Sequence, residues 1–541
     1  MNRRWHQTPR TTAAVLLIPA AAALAGTWLA LSAITGRQFA AAVMGHNHLG
    51  PGIVRTIAIA AGIGLAIAAA ATITHQLHVR SPRAMRRRFL HSPGWATRPR
   101  RNPNTAAGIR ARLHYLLPRT PRPRVADASV LLGRDARGRD FLLTCDESML
   151  VIGPPGSGKD RRVAAPVLAA WPGPALVTST KLDLVTATIE ARATRGPIAV
   201  FDPAGFAAPA AGAHAPTALR WNPVAGCQDR DVAARRAAAL IAGGTPSMSE
   251  KFWATAATRI LRATLQAAAL SSGSVLDACD WATSTSGWIT AAQILRANGE
   301  HEWATALRDD ADLDPRTTSS IAATLSATLI GVSNARLRAA LAPTGDSADL
   351  GQILQANGTI YAVAPAESDG HLVFRPWTTL LASEVAAVLR EQAKGARLEP
   401  PALLLLNELV HVCPLPELPG LLADGRGHNI ATLAIVQDPV QLAARYSPDE
   451  AKAIVAAAQH RLLLATGSDD TAREWSAQIG TYRAKTTSRT HKAMGVTADS
   501  TNTGYEDRPI LPENELRHIP YGCAVLLPRG QAAIPLHLLG Q

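Results

Sequence analysis

A glycine-rich segment between an apolar run and a helical stretch constrains this chain more than any other feature. Residues 149–152 predict a buried strand, and residues 161–170 predict a helix. The segment between them fits the GxxxxGK pattern of a phosphate-binding loop, made of Gly153, Pro154, Pro155, Gly156, Ser157, Gly158, Lys159 and Asp160. In such a loop backbone N–H groups turn towards a phosphate, the helix amino terminus adds its dipole, and the lysine reaches the outer phosphates. The segment therefore predicts nucleotide binding.

Two positions depart from the usual pattern for magnesium. Asp160 stands where a P-loop normally has the serine or threonine that ligates the ion. A second apolar run, residues 403–406, leads to Asn407 and Glu408, where a P-loop ATPase has an Asp-Glu pair. Asp160 and Asn407 are the candidate positions at Mg²⁺, and these changes leave open whether ATP is hydrolysed.

Glu408 is the candidate base that orients the attacking water in ATP hydrolysis. The alternative is an ordinary core strand that ends in a solvated carboxylate. Both interpretations place Glu408 directly after the apolar run of residues 403–406.

From about residue 140 the chain alternates short apolar runs with helical stretches, which is typical of a parallel α/β sheet. Further strands are predicted at residues 358–364, 432–436, 461–464 and 524–527. Between residue 221 and about residue 343 the sequence is alanine-rich with a helical rhythm, which predicts an all-α segment.

Two uncharged apolar stretches precede this region, at about residues 11–33 and 56–74. Each approaches the ~20 residues that a helix needs to cross the hydrocarbon of a bilayer, so we expect two transmembrane helices. A cleaved signal peptide is the alternative for the first stretch, but a second span follows directly. Arginines flank both outer ends, which predicts that both ends and the main domain are cytoplasmic.

The basic charge of the chain is concentrated next to the second apolar stretch. Residues 76–126 contain thirteen arginines and no acidic residue, whereas the whole chain has a net charge of +14. The remainder is therefore nearly balanced, because 14 − 13 leaves +1. An Arg- and Pro-rich segment needs an anionic neighbour, either lipid headgroups or nucleic-acid phosphate.

The five cysteines lie far apart without a CxxC pair, and the sixteen histidines form no HExxH pattern. These spacings argue against a zinc site and against a disulfide framework. A reducing compartment is expected.

At this point several motifs resemble those of the TraG/TraD-like coupling proteins of conjugation and type IV secretion, relatives of the FtsK-like DNA translocases. After the P-loop, residues 179–184 resemble the S-x-K-x-D-L segment of the family, residues 200–203 its next strand, and residues 221–223 its W-N-P entry to the helical part. Residues 403–446 resemble its TraM-recognition region. The resemblance covers about residues 140–541.

The resemblance implies roles for two further residues. Arg426 corresponds to the arginine that reaches the nucleotide of a neighbouring subunit, and Gln437 corresponds to the glutamine that senses the γ-phosphate. From the residues alone, Arg426 could equally be a solvated loop arginine, and Gln437 could cap backbone groups at a strand end.

The family architecture implies a RecA-like P-loop nucleotide-binding domain with a parallel-rich sheet, an inserted all-α domain and two N-terminal transmembrane helices. The expected divisions are a membrane anchor at residues 1–80, a linker at 81–139, nucleotide-binding parts at 140–225 and 346–541, and an all-α insertion at 226–345. A substrate-recognition role for the insertion comes from the resemblance, since Ala-rich helices can also be plain packing helices.

The resemblance implies a membrane-anchored, ATP- and Mg²⁺-binding homohexamer in the inner cell membrane. It would couple DNA carrying a relaxase to the proteins of a type IV secretion channel, with membrane lipids around its anchor. Two alternatives remain open: an FtsK-like DNA pump, and a membrane scaffold that binds nucleotide without hydrolysing it. The long helical insertion argues against the FtsK-like pump. The cargo, the partner channel and the direction of transport do not follow from the sequence.

Overall fold

The structure is a computed structural model. It describes residues 59, 62–70, 72–74, 81–95, 103–206, 216–244, 251–341, 347–365, 373–490 and 500–540. The chain divides into two units, residues 1–93 and residues 94–541, which we describe separately.

The described part of the first unit is helical. Residues 62–70 and 72–74 are in helix, and α1 (Pro82–Leu90) follows, capped by the Ser81 hydroxyl, which accepts from the Ala84 N–H at 3.3 Å. In this unit and the next, no described helix combines the length and the apolar character that a membrane crossing requires. The predicted span 11–33 lies outside the described residues, and the predicted span 56–74 is described only in part.

The second unit is built on one large sheet. Its twelve described strands lie in the order β2-β1-β14-β13-β10-β3-β9-β8-β4-β7-β5-β6. Strands from β10 to β6 in that order pair in parallel, whereas the pairs β1–β2, β1–β14, β13–β14 and β10–β13 are antiparallel. The strands, including the separate pair β11–β12, are β1 Ser129–Arg134, β2 Asp140–Thr144, β3 Met149–Ile152, β4 Ala175–Ser179, β5 Ile198–Phe201, β6 Thr217–Ala218, β7 Thr359–Val363, β8 Ala402–Leu406, β9 Ile430–Val436, β10 His460–Leu463, β11 Thr481–Thr490, β12 Ser500–Pro509, β13 Cys523–Pro528 and β14 Ile534–Leu538.

The central strands are continuous apolar runs because both faces of the sheet are covered. Every residue of β3, β8 and β9 is buried. Such runs are typical of parallel strands, which are usually buried on both sides. The parallel-rich α/β sheet of the predicted fold is therefore confirmed.

Helices connect the strands and cover the sheet. In the described second unit they are α2 Ala106–Arg110, α3 Leu113–Leu116, α4 Val125–Ala128, α5 Ala165–Ala170, α6 Asp183–Ala193, α7 Arg230–Gly244, α8 Lys251–Leu270, α9 Val275–Ala282, α10 Thr285–Ala297, α11 His301–Ala311, α12 Pro315–Leu329, α13 Ala335–Leu341, α14 Leu350–Gln355, α15 Arg375–Gln392, α16 Leu409–Val412, α17 Leu418–His428, α18 Val440–Arg445, α19 Pro448–Ala457, α20 Asp469–Ile479 and α21 Glu513–Leu516. Helices α7–α13 follow one another between β6 and β7 and form the alanine-rich helical part.

Buried charged side chains connect helix α7 of the helical part to helix α15. Arg236 of α7 donates from Nε and Nη2 to both carboxylate oxygens of Glu384 on α15, at 3.0 and 2.6 Å. Arg235 donates to the same carboxylate at 2.6 Å. A bidentate, largely desolvated pair of this kind fixes the orientation of α7 against α15.

The parallel topology separates the residues of interest into two groups. The carboxyl ends of β3, β8, β9 and β4 meet at one edge of the sheet, which we call the carboxyl edge, and their starts meet at the amino edge. The segments that follow β3 and β8 lie at the carboxyl edge, whereas α17, which precedes β9, ends at the amino edge. Side chains far apart in sequence are thereby brought together.

Candidate nucleotide site

The loop after β3 has the geometry that its glycines predict. Gly156 and Gly158 have φ values of +77° and +91°, in the left-handed region that side chains disfavour. A Cβ atom on Gly153 would lie 2.5 Å from the Ser157 hydroxyl oxygen, so a larger residue there would displace the Ser157 side chain. A turn of π-helix, Asp160–Ala164, then leads into α5. The expected strand–loop–helix context is therefore present.

Lys159 and Asp160 lie at the start of that helix. Lys159 is largely buried. Burial raises the pKa of Asp160, and the neighbouring charges of Glu408 and Asp183 raise it too, whereas Lys159 and a hydrogen bond from Asn407 lower it. The net direction is upward. These contributions show that Asp160 shares one electrostatic environment with the residues that follow β8.

Asn407 and Glu408 extend from β8 at the carboxyl edge. Asn407 is 2% exposed, and its backbone carbonyl accepts from the Thr178 hydroxyl at 3.0 Å. Glu408 has φ 49° and ψ 44°, a left-handed conformation that is uncommon for a residue with a side chain. Its Oε2 accepts from the Thr180 hydroxyl at 3.1 Å. Backbone strain of this kind clusters at functional sites.

The segment with the S-x-K-x-D-L pattern follows β4, so it lies beside Asn407 and Glu408. The Ser179 hydroxyl donates to the Lys181 carbonyl at 2.8 Å and accepts from the Lys181 N–H at 3.2 Å. Thr180 provides the contact to Glu408. The sheet order therefore brings this segment and the end of β8 to the same place.

Gln437 is the first residue after β9 and lies next to the start of the loop. The register pairs Ile152 with Val436, and the Gly153 N–H donates to the Val436 carbonyl at 3.2 Å. The backbone N–H of Gln437 donates to the side chain of Gln441 at 3.3 Å. Gln437 thus borders the phosphate loop from the β9 side.

Arg426 lies elsewhere. It is on α17, near the amino edge, and its Nε is 3.3 Å from Oδ2 of Asp146, a buried carboxylate between β2 and β3. Asp146 also accepts from the Thr144 hydroxyl at 2.6 Å and has Arg112 at 3.9 Å. Arg426 is therefore not a solvated loop arginine, because it lies on a helix and forms an ion pair with Asp146. The structure does not bring it to the loop of its own subunit.

Tyr521 and Arg162 also lie beside the loop, and this was not predicted from the sequence. Tyr521, in the segment between α21 and β13, has its ring 2.9 Å from the position that a Cβ on Gly158 would occupy. The guanidinium of Arg162 lies 5.1 Å from the centre of that ring and donates to the Gly540 carbonyl at 2.6 Å. No motif marks Tyr521, whose segment leads into β13, the strand that pairs with β10 next to β3.

Three buried oxygen atoms at the site lack hydrogen-bond partners among the described residues. They are Oγ of Ser157, Oδ1 of Asp160 and Oδ1 of Asn407. The described residues contain no cluster of three or more His, Cys, Asp or Glu side chains arranged for a metal.

Comparisons with known proteins agree with this architecture. A family model described as "Type IV secretory system Conjugative DNA transfer" matches residues 119–539. No curated protein matches the chain significantly in sequence.

Solved structures of one coupling protein share the fold. The plasmid coupling protein TrwB in complex with ADP and Mg²⁺ superimposes with a TM-score of 0.55 and 14% identity, over 79% of this chain and 92% of that one. TrwB with the non-hydrolysable ATP analogue ADPNP gives 0.53 and 16%, over 73% and 86%. The unbound form of the bacterial conjugative coupling protein TrwBdeltaN70 gives 0.53 and 15%, over 73% and 85%.

The family match covers most of the chain and includes the loop, the end of β8, Arg426 and Gln437. The chain therefore belongs to the type IV secretory system conjugative DNA transfer family, the TraG/TraD-like coupling proteins.

Proposed function

We propose that the protein is a membrane-anchored ATPase that couples a DNA–relaxase substrate to a type IV secretion channel. The observation that carries the proposal is the convergence of Lys159, Glu408 and Gln437 at the carboxyl edge, around a loop with phosphate-binding geometry. The nucleotide would supply the phosphoanhydride bond whose hydrolysis drives movement of the substrate.

Lys159 and the backbone N–H groups of residues 153–160 would hold the phosphates of ATP. TrwB structures have been solved with ADP and Mg²⁺ and with ADPNP, which supports ATP as the ligand of this loop. Glu408 would orient the attacking water, and Gln437 would report the presence of the outermost phosphate. The contact between Glu408 and Thr180 keeps the carboxylate at the edge of the site.

Asp160 and Asn407 would form the protein side of the magnesium position. The residues present fit a hard cation, because Oδ1 of each is buried without a partner among the described residues and Ser157 adds a third such oxygen. Ordinary P-loop sites use a neutral hydroxyl and a Walker B carboxylate. Here the carboxylate is at position 160 and the neutral amide at position 407, so the total charge is unchanged.

Arg426 would complete the site of a neighbouring subunit in a homohexamer. Within its own subunit it lies at the amino edge, separated from the loop by the length of β3, roughly 13 Å for four residues. An arginine that acts on transferred phosphate in trans makes assembly a condition for full turnover. The inserted α7–α13 domain would contact the substrate, as the family resemblance implies.

The membrane anchor belongs to the proposal as well. In the described helical residues 62–70, Ile63, Leu65 and Ile67 are 56%, 71% and 54% exposed. Large apolar side chains exposed together suit a lipid environment better than water. The arginine-rich segment that follows would lie against anionic headgroups or against the phosphates of DNA.

ATP turnover by the full-length protein in detergent, with and without DNA, tests the function. We expect turnover in the original protein, loss of both binding and turnover in Lys159→Ala, and retained binding with at least about 100-fold slower turnover in Glu408→Gln. The altered residues Asp160 and Asn407 favour a second candidate, a scaffold that binds nucleotide without hydrolysis. Magnesium-dependent nucleotide binding with no turnover under any condition would support that scaffold instead.

A further inference from the structure

We propose that Tyr521 and Arg162 form a platform for the base of the bound nucleotide. The inference rests on the proposed binding of nucleotide to the P-loop and adds a recognition element for the nucleoside part. It arises from an exposed aromatic ring that lies directly beside the loop although nothing in the sequence connects the two.

The ring is held in place from two sides. A Cβ on Gly158 would lie 2.9 Å from Cε2 of Tyr521, so the ring edge packs against the loop backbone. Arg162, in the first helical turn after the loop, places its guanidinium 5.1 Å from the ring centre. The hydrogen bond from Arg162 to the Gly540 carbonyl, at 2.6 Å, holds that guanidinium in position. A cation over an aromatic face in this range is attractive.

The ring is nevertheless open to a ligand. Tyr521 is 52% exposed even though it contacts both the loop and Arg162. Buried aromatic side chains stabilise a core, whereas an exposed, positioned ring offers a flat apolar surface on which a nucleobase can stack. The neighbouring guanidinium adds a cationic group close to where phosphates would lie.

The sheet order determines the side on which the base should leave the loop. Strand β3 has β9 and β8 on one side and β10, β13 and β14 on the other. Glu408 and Gln437, the groups for the outermost phosphate, come from β8 and β9. A nucleoside triphosphate is a linear chain from its outermost phosphate to its base, so the base should extend to the opposite side. Tyr521 precedes β13 and Gly540 follows β14, which places the platform on that side.

A purely structural role for Tyr521 is the competing explanation, because its ring also fills space above Gly158. The two roles differ in which part of the ligand they affect. A support for the loop would influence any ligand that has phosphates. A base platform influences only ligands that have a base.

The test measures the affinity of the full-length protein in detergent for ATP and for inorganic tripolyphosphate, each by calorimetry. We expect Tyr521→Ala to weaken ATP binding roughly tenfold, equivalent to about 1.4 kcal/mol, and to leave tripolyphosphate binding unchanged. Tyr521→Phe should bind ATP as the original protein does, since stacking needs the ring and not the hydroxyl. Tyr505→Ala is a matched control, because Tyr505 is 62% exposed and also has an arginine, Arg483, 5.1 Å from its ring centre.

Equal losses for ATP and tripolyphosphate in Tyr521→Ala would overturn the platform and assign Tyr521 to support of the loop. Unchanged ATP affinity in Tyr521→Ala would overturn it as well. Failure of the proposed function gives a different result, in which the original protein binds neither ATP nor tripolyphosphate and Lys159→Ala makes no difference.

Discussion

The Nε atom of Arg426 lies 3.3 Å from Oδ2 of Asp146, a carboxylate whose side chain is fully buried at the amino edge of the sheet. Arg426 itself remains 54% exposed. The side chain of Arg426 therefore pairs with a buried charge of its own subunit, and its exposed part is the part that the proposed role toward a neighbouring subunit requires. Any substitution of Arg426 must be interpreted with both in mind.

We expect Arg426→Ala to leave nucleotide binding by Lys159 intact and to lower turnover of the assembled protein by about 10³-fold, the lower range for an arginine supplied in trans. The same substitution should cost about 1–3 kcal/mol of stability, because the carboxylate of Asp146 loses a charged partner. Adding Asp146→Asn should recover stability but not turnover. ATPase rates and thermal unfolding of the two single variants and the double variant measure the two effects separately.

Mixed assemblies test the trans arrangement directly. Subunits with Lys159→Ala are expected to lose nucleotide binding but to keep Arg426, and subunits with Arg426→Ala keep the loop unchanged. Co-assembly should therefore restore part of the turnover that each variant lacks alone. Equal loss of nucleotide binding in both single variants would contradict the trans role.

Deletion of residues 1–80 should yield a soluble protein that self-associates more weakly and still binds nucleotide. The reason is that the two predicted spans are the only stretches long and apolar enough in sequence to require lipid. The loop and its neighbours all belong to the separate unit of residues 94–541. Fractionation and nucleotide binding measure the outcome. A correctly folded truncation that is recovered only with membranes would contradict the predicted topology.

Much of the parallel sheet could be predicted because its strands are uninterrupted apolar runs between helices. The run predicted at 403–406 lies within β8, and the run predicted at 432–436 lies within β9. The antiparallel strands β1, β2 and β14 were not predicted. The ribbon β11–β12 was missed too, since none of its described side chains is buried and its sequence contains no apolar run.

The candidate site was predictable where it depends on local motifs and not where it depends on distant pairing. The loop and the end of β8 each have a recognisable pattern of neighbouring residues. The contacts of Arg426 with Asp146 and of Tyr521 with Gly158 join segments that only the folded sheet brings together. Burial of Asp146 could not be foreseen, because an isolated aspartate between two strands is usually solvated.

The buried pair between Arg236 and Glu384 should be important for stability. We expect Glu384→Gln to cost about 3–5 kcal/mol, because it leaves Arg236, whose side chain is 5% exposed, without a charged partner. Glu302→Gln is the control, since Glu302 pairs with Arg230 at the surface and should cost under about 1 kcal/mol. Denaturant unfolding of both variants gives the comparison, and equal costs would contradict a special role for the buried pair.

The same pair predicts a pH dependence of stability. Burial acts to raise the pKa of Glu384, but hydrogen bonds and charges from Arg236 and Arg235 outweigh it, so the pKa lies below its usual value. The stabilisation of the folded state by ionised Glu384 is therefore fully present above the ordinary carboxyl pKa of about 4.3. It is lost as the pH falls through the lower, folded value. The stability difference between the original protein and Glu384→Gln should shrink over that acidic range, and a constant difference would contradict this assignment.

Asp160 and Asn407 should behave as one exchanged pair. Asp160→Thr removes the carboxylate proposed for the metal position. Loss of a residue that only supports a metal ligand typically lowers affinity about 10–100-fold, so we expect the Mg²⁺-dependent nucleotide affinity to fall at least that far. Asn407→Asp adds a third carboxylate beside Asp160 and Glu408, whose charge already acts on Asp160, and should impair the site without Mg²⁺. The double variant restores the usual hydroxyl and carboxylate, and should bind and turn over ATP better than either single variant. Nucleotide binding with Mg²⁺ or EDTA measures the coupling independently of turnover. Strictly additive effects of the two substitutions would contradict the exchange, because residues that share an ion should be strongly non-additive.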